Sequence, residues 1–96
     1  MAKITAKGTR GGMTVEIICE KLNKTLTVVS DIPELEQEFR EELEQHHPVA
    51  GTFYPETESM TNALEVLRYH FFDNEPEITV DGAFRERIPF RPDVIY

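Results

Sequence analysis

The stretch MTVEIICEKLNKTLTVVS, residues 13–30, decides the fold. Met13, Val15, Ile17 and Cys19 alternate with Thr14, Glu16, Ile18 and Glu20, and Leu26 and Val28 continue the alternation against Thr27 and Val29. A period of two sends successive side chains to opposite faces, which is the mark of a strand. A two-residue turn at Asn23-Lys24 sets Cys19 opposite Val28 and Lys21 opposite Leu26, so the apolar residues of both strands share one face.

Working upstream, Lys3-Ile4-Thr5-Ala6-Lys7 alternates in the same way, and Gly8-Thr9-Arg10-Gly11-Gly12 reads as a flexible connection. Residues 1–30 are therefore expected to form a three-stranded meander. The glycines do not form a phosphate-cradling loop, because no helix follows them and no G-x-x-x-x-G-K-[ST] pattern is present.

Working downstream, Asp31 can cap a helix, Glu34 three residues later completes a capping-box-like pair, and Pro33 is tolerated in the first turn. Ile32, Leu35, Phe39 and Leu43 fall on one stripe, which predicts an acidic helix over 31–47 that Pro48 ends. A loop spans 49–55. A second helix is expected over 57–72, with Met60, Ala63, Leu64, Leu67, His70 and Phe71 in its apolar stripe and Tyr69 and Phe72 off it. Glu77-Ile78-Thr79-Val80 alternates again, Asp81-Gly82 is a tight-turn pair leading to Ala83-Phe84-Arg85, and Pro89 and Pro92 mark an extended tail. Residues 77–96 thus hold a strand and a tail. An isolated sheet of this size would leave its apolar side wet, so the expected fold is a single α+β domain over 1–96. Its two layers are a mostly antiparallel sheet, the meander plus a C-terminal strand or hairpin, and two helices on one face.

The hydrophobic fraction of 40% and charged fraction of 29% are those of a globular chain, not a disordered one. No apolar run approaches the roughly 20 residues that cross a bilayer, and Met1–Thr5 lacks a secretory apolar stretch, so a cytoplasmic protein is expected. A single cysteine, Cys19, fits a reducing compartment and reads as a small core hydrophobe.

Net charge is −8, and it is unevenly placed: +3 from Met1 to Ser30, −12 from Asp31 to Gly82 and +1 thereafter. Nucleic acids and anionic membranes bind through clustered Lys and Arg, so neither is expected as a direct partner. Residues 31–44 carry seven acids against Arg40. First-turn acids favour the helix dipole, while Glu34 with Glu38 and Glu38 with Glu42 repel at i,i+4. The same face can be offered to a basic partner.

The features that suggest chemistry are weak. His46 and His47 point about 100° apart on a helix, no H-x-x-x-H or paired cysteine accompanies them, and interaction with the helix C-terminus accounts for them; His70 is expected to border the core. Carboxylates abound without a spacing that selects an acid and a base, and no nucleophile or nucleotide motif is present. No catalytic residue, cofactor or metal ligand is assigned. The aromatics carry more, since Phe53 and Tyr54 sit in a loop and Tyr69 and Phe72 lie off the stripe, and exposed aromatics anchor interfaces. The expectation is a non-enzymatic protein-interaction module whose candidate contact residues are Glu34, Glu38, Glu41, Glu42, Phe53, Tyr54, Tyr69 and Phe72. Its partner is a protein with a basic surface. A nucleic-acid mimic, a homo-oligomer joining the basic meander to the acidic helix of another copy, and a small metal-binding or hydrolytic domain are the alternatives.

Overall fold

The computed structural model describes residues 2–46 and 58–82. Strands β1 (Ala2–Arg10), β2 (Met13–Leu22) and β3 (Thr25–Ser30) form the meander, followed by α1 (Pro33–Gln45), α2 (Met60–Val66) with a π-helical turn at Leu67–Phe71, and β4 (Glu77–Asp81). The four strands make one antiparallel sheet in the order β3-β2-β1-β4, so the C-terminal strand joins the sheet beside β1.

The β2–β3 register is the expected one, with Cys19 opposite Val28 and Lys21 opposite Leu26. Asn23 sits at φ 59°, where Asn is better tolerated than most side chains. The Gly8–Gly12 connection is shorter than expected: β1 runs through Gly8 to Arg10, and the turn is confined to Gly11 and Gly12, both at positive φ. Gly8 serves the packing instead. A Cβ there would lie 2.8 Å from the Phe72 ring and 3.1 Å from Pro76.

One face of the sheet supplies Ala2, Ile4, Ala6, Val15, Ile17, Cys19, Leu26 and Val28 to the core, and the helices cover it with Leu35, Phe39, Leu43, Met60, Ala63, Val66, Leu67 and Phe71. Met13 shares that parity but is 53% exposed, because it lies at the strand end beside the glycine turn. On the other face each lysine of β1 lies between two acids. The rows read Glu20–Lys3–Asp81 and Glu16–Lys7–Glu77 from β2 to β4, an arrangement of opposite charges across neighbouring strands that favours the pairing.

Both helix starts differ from expectation. Ile32 is the N-cap residue of α1 and makes no side-chain cap bond. Asp31 instead accepts from the Glu16 N–H, Ser30 Oγ accepts from the Ile32 N–H, and Glu36 accepts from the Ser30 N–H. Pro33 takes the first helical position, where its missing N–H leaves no intrahelical bond unmade, and the helix starts there rather than at Asp31. The second helix begins at Met60, where the Ser59 side chain caps the Asn62 N–H.

The π turn corrects the apolar stripe. Phe71, expected in that stripe, is buried at the end of the π turn, where it is 1% exposed and meets Phe39 edge-on at 5.3 Å. His70, expected to border the core, is exposed, because the buried position at the end of the helix belongs to Phe71.

The outer edge of β3 is plugged at Leu26 and Ser30. Leu26 N–H donates to the Glu58 carboxylate, Arg40 donates to the Leu26 carbonyl at 2.8 Å, and Glu36 accepts from Ser30 N–H at 3.1 Å. Side chains of the helical layer thus satisfy backbone groups that an edge strand otherwise offers to another chain.

Candidate interaction surface

Arg10 fixes the end of the second helix. Its guanidinium lies 4.1 Å from the centroid of the Phe71 ring, donates to the Phe71 carbonyl at 2.6 Å, and reaches Glu38 of α1 at 3.5 Å. A cation at a helix C-terminus, on an aromatic face and bonded to a terminal carbonyl, combines three favourable interactions. The segment beyond is held as well, since Asp73 N–H donates to the Thr9 carbonyl and the Asp73 carboxylate accepts from Gly12 N–H. Two consecutive aromatics at this anchored end have different fates: Phe71 is buried, and Phe72 is half-buried over Gly8.

This anchoring shapes an open concavity of about 770 Å³ lined by Arg68, Tyr69, Phe72, Asp73, Asn74, Glu75, Pro76 and Ile78. Tyr69 stands at it 71% exposed. Two of the aromatic candidates are therefore brought into one surface, while Phe53 and Tyr54 lie outside the described residues.

The acidic helix packs over β3 and against the second helix and its π turn. Glu34, Glu38 and Glu41 are exposed and recur at i, i+4 and i+7, with Glu41 accepting from the Gln37 amide and Glu38 engaged by Arg10. Glu42 turns toward the second helix and lines a small groove of about 210 Å³ with Gln45, His46, Val66 and His70. There His46 Nε2 lies 2.6 Å from Glu65 Oε2, the His46 and His70 rings are 5.3 Å apart, and the His70 ring is 6.4 Å from that of Tyr69. A continuous path thus joins Glu42 through the two histidines to Tyr69. Among the described residues no group of three His, Cys, Asp or Glu side chains is placed to hold a metal ion. His47 lies outside the described residues, as does the tail from Ala83.

Cys19 is enclosed, and burial pushes its thiol up to about 12, with Arg40 opposing the shift. At neutral pH it carries its proton and behaves as a core side chain. Among the described residues no helix is long and apolar enough to cross a membrane. Comparison with known protein families, with curated proteins and with solved structures yields no match.

Sequence reading missed Arg10 and Arg40, whose roles depend on carbonyls far along the chain. The local hint for Arg10 was its position just before a Gly-Gly turn, where a strand end can reach over the helical layer.

Proposed function

We propose that this protein is a protein-interaction module that presents the Tyr69–Phe72 concavity and the acidic helix to a basic partner. The observation that supports it most is Tyr69 itself. A large aromatic side chain stands 71% exposed at the end of a helix whose last turn Arg10 binds through the Phe71 ring and carbonyl, and a tyrosine on such a turn has only two side-chain torsions to order when it becomes an anchor. Glu34 and Glu41 add a negative field that steers a basic surface toward it.

A nucleic-acid mimic asks for a continuous array of carboxylates. Here Asp31, Glu36, Glu58, Glu65 and Asp73 are bonded to groups of the protein's own fold, and Glu16, Glu20, Glu77 and Asp81 alternate with lysines on the opposite sheet face. The protein-binding reading needs no such array and is favoured.

The test is capture from native lysate with the full chain at low and high salt, beside Tyr69→Ser and the double variant Glu34→Lys, Glu41→Lys, which leaves the Arg10–Glu38 pair intact. A specific partner that is retained at low salt, released at high salt and lost with both variants is the expected result. A partner bound with unchanged affinity and on-rate by both variants contradicts the reading.

A further inference from the structure

We propose that the outer edge of β4, with the concavity beside it, takes up an extended segment of a protein partner that carries Lys or Arg four residues apart with apolar side chains between them. This rests on the interaction-module reading and specifies the partner's chemistry.

The hydrogen-bond alternation of the sheet fixes which backbone groups of β4 point away from β1. A two-residue turn at Gly11-Gly12 makes Arg10 and Met13 a mutually bonded pair, and in an antiparallel ladder the bonding side then alternates along the strand. Ala2, Ile4, Ala6 and Gly8 therefore bond toward β2, and Lys3, Thr5 and Lys7 toward β4. The outward carbonyl of Thr9, which accepts from Asp73 N–H, obeys the same parity. In β4 the inward-bonded residues are their partners Asp81, Thr79 and Glu77. Ile78 and Val80 consequently direct both backbone groups away from the sheet. Among the described residues no hydrogen bond reaches them, and β4 ends the sheet order. Val80 is 43% exposed, and Ile78 lines the concavity with Tyr69 and Phe72. An incoming strand would find main-chain donors and acceptors beside a hollow where Tyr69, Phe72, Pro76 and Ile78 meet the polar side chains of Arg68, Asp73, Asn74 and Glu75, so that it offers both main-chain pairing and a side-chain site, the two elements of recognition by strand addition.

Charge selects the occupant. Among the described residues that line the concavity or form β4, four acids, Asp73, Glu75, Glu77 and Asp81, stand against one cation, Arg68. The rows Glu20–Lys3–Asp81 and Glu16–Lys7–Glu77 alternate in sign across β2, β1 and β4, so a fifth strand extends both favourably if it brings cations. A second copy of this chain fits badly. Joining two β4 edges antiparallel, with Ile78 bonded to Val80 of the other copy, sets Glu77 against Asp81 twice, and directly opposed like charges destabilise the pair.

The test uses the isotope-labelled full chain and a capped peptide Lys-Val-Thr-Ile-Lys, with Glu-Val-Thr-Ile-Glu as control, followed by amide NMR. The expected result is saturable shifts centred on Ile78, Val80, Tyr69 and Phe72, with exchange of the Ile78 and Val80 amides slowed about tenfold. Val80→Pro, which removes an N–H that no described residue accepts, should stay folded and bind at least about tenfold more weakly, as should the acidic control peptide. Any of four results overturns the proposal: no saturable shift up to millimolar peptide, shifts confined to Glu34, Glu38 and Glu41, equal binding of the two peptides, or Ile78 and Val80 amides already protected in the free protein by its own tail or by self-association. Tyr69-dependent capture of a partner that Val80→Pro leaves intact would keep the module reading while removing strand addition.

Discussion

The two edges of the sheet are built from similar strands, TLTVVS at one side and EITVD at the other, and they are finished differently. Along β3, Glu58, Arg40 and Glu36 occupy both backbone groups of Leu26 and the N–H of Ser30, and Leu26 and Val28 are buried beneath the helices. Along β4, Ile78 and Val80 offer theirs outward, and Val80 is 43% exposed. A protein can close an edge with side chains from its own second layer, and this one does so on the side its helices reach. The difference separates structural carboxylates from those free to meet a partner, which composition could not do.

The largest effect should come from proline at the closed edge. Leu26→Pro removes a buried side chain together with the N–H that Glu58 accepts, and should cost about 4 kcal/mol in denaturant unfolding, against about 1 kcal/mol or less for Val80→Pro. Equal costs would erase the distinction between the edges. Gly8→Ala, which drives a Cβ into Phe72 and Pro76, should cost about 2 kcal/mol and move the Tyr69 and Phe72 resonances, since it displaces the wall of the concavity. Arg40→Ala should cost about 1–2 kcal/mol and make the protein aggregate more readily, because it bares the Leu26 carbonyl and opens an edge the fold closes.

Alkaline pH probes the region behind β3, where Cys19 lies opposite Val28. Its folded thiol is held up to about 12 by burial, whereas the unfolded one ionises near its ordinary value of 9.0. From about pH 9 the unfolded chain therefore sheds a proton the folded chain keeps. Stability should fall by roughly 1 kcal/mol per pH unit up to about 12, and Cys19→Ala should lack that component. A thiol reagent that labels the native protein at pH 8 would show that the closed edge opens. The smallest expected change is Tyr69→Ser, within about 0.5 kcal/mol in stability, since the ring makes little buried contact.

Much of the fold was legible because short-range periodicity carries it. The hairpin register followed from the parity of Cys19 and Val28 around a two-residue turn, and the stripe of Leu35, Phe39 and Leu43 is the buried face of α1. Two kinds of information escaped. The π turn changes the angular step after Val66, so a fixed 100° period misplaced His70, and residue types do not announce an inserted turn. The edge plugs join residues distant in sequence, Glu58 with Leu26 and Arg40 with the same residue, through backbone groups that look identical at every position. Of the candidate contact residues, Tyr69 and Phe72 share a surface and Glu34 and Glu41 stand exposed, whereas Glu38 is bonded to Arg10 and Glu42 turns into the histidine groove.

Native-state hydrogen exchange on the full chain, read residue by residue, tests the contrast most directly. The Leu26 and Ser30 amides should exchange as slowly as their neighbours bonded within the ladder, while Ile78 and Val80 should exchange far faster than Thr79 between them. Uniform protection along β4, with Val80 as slow as Leu26, would contradict the open edge on which the account depends.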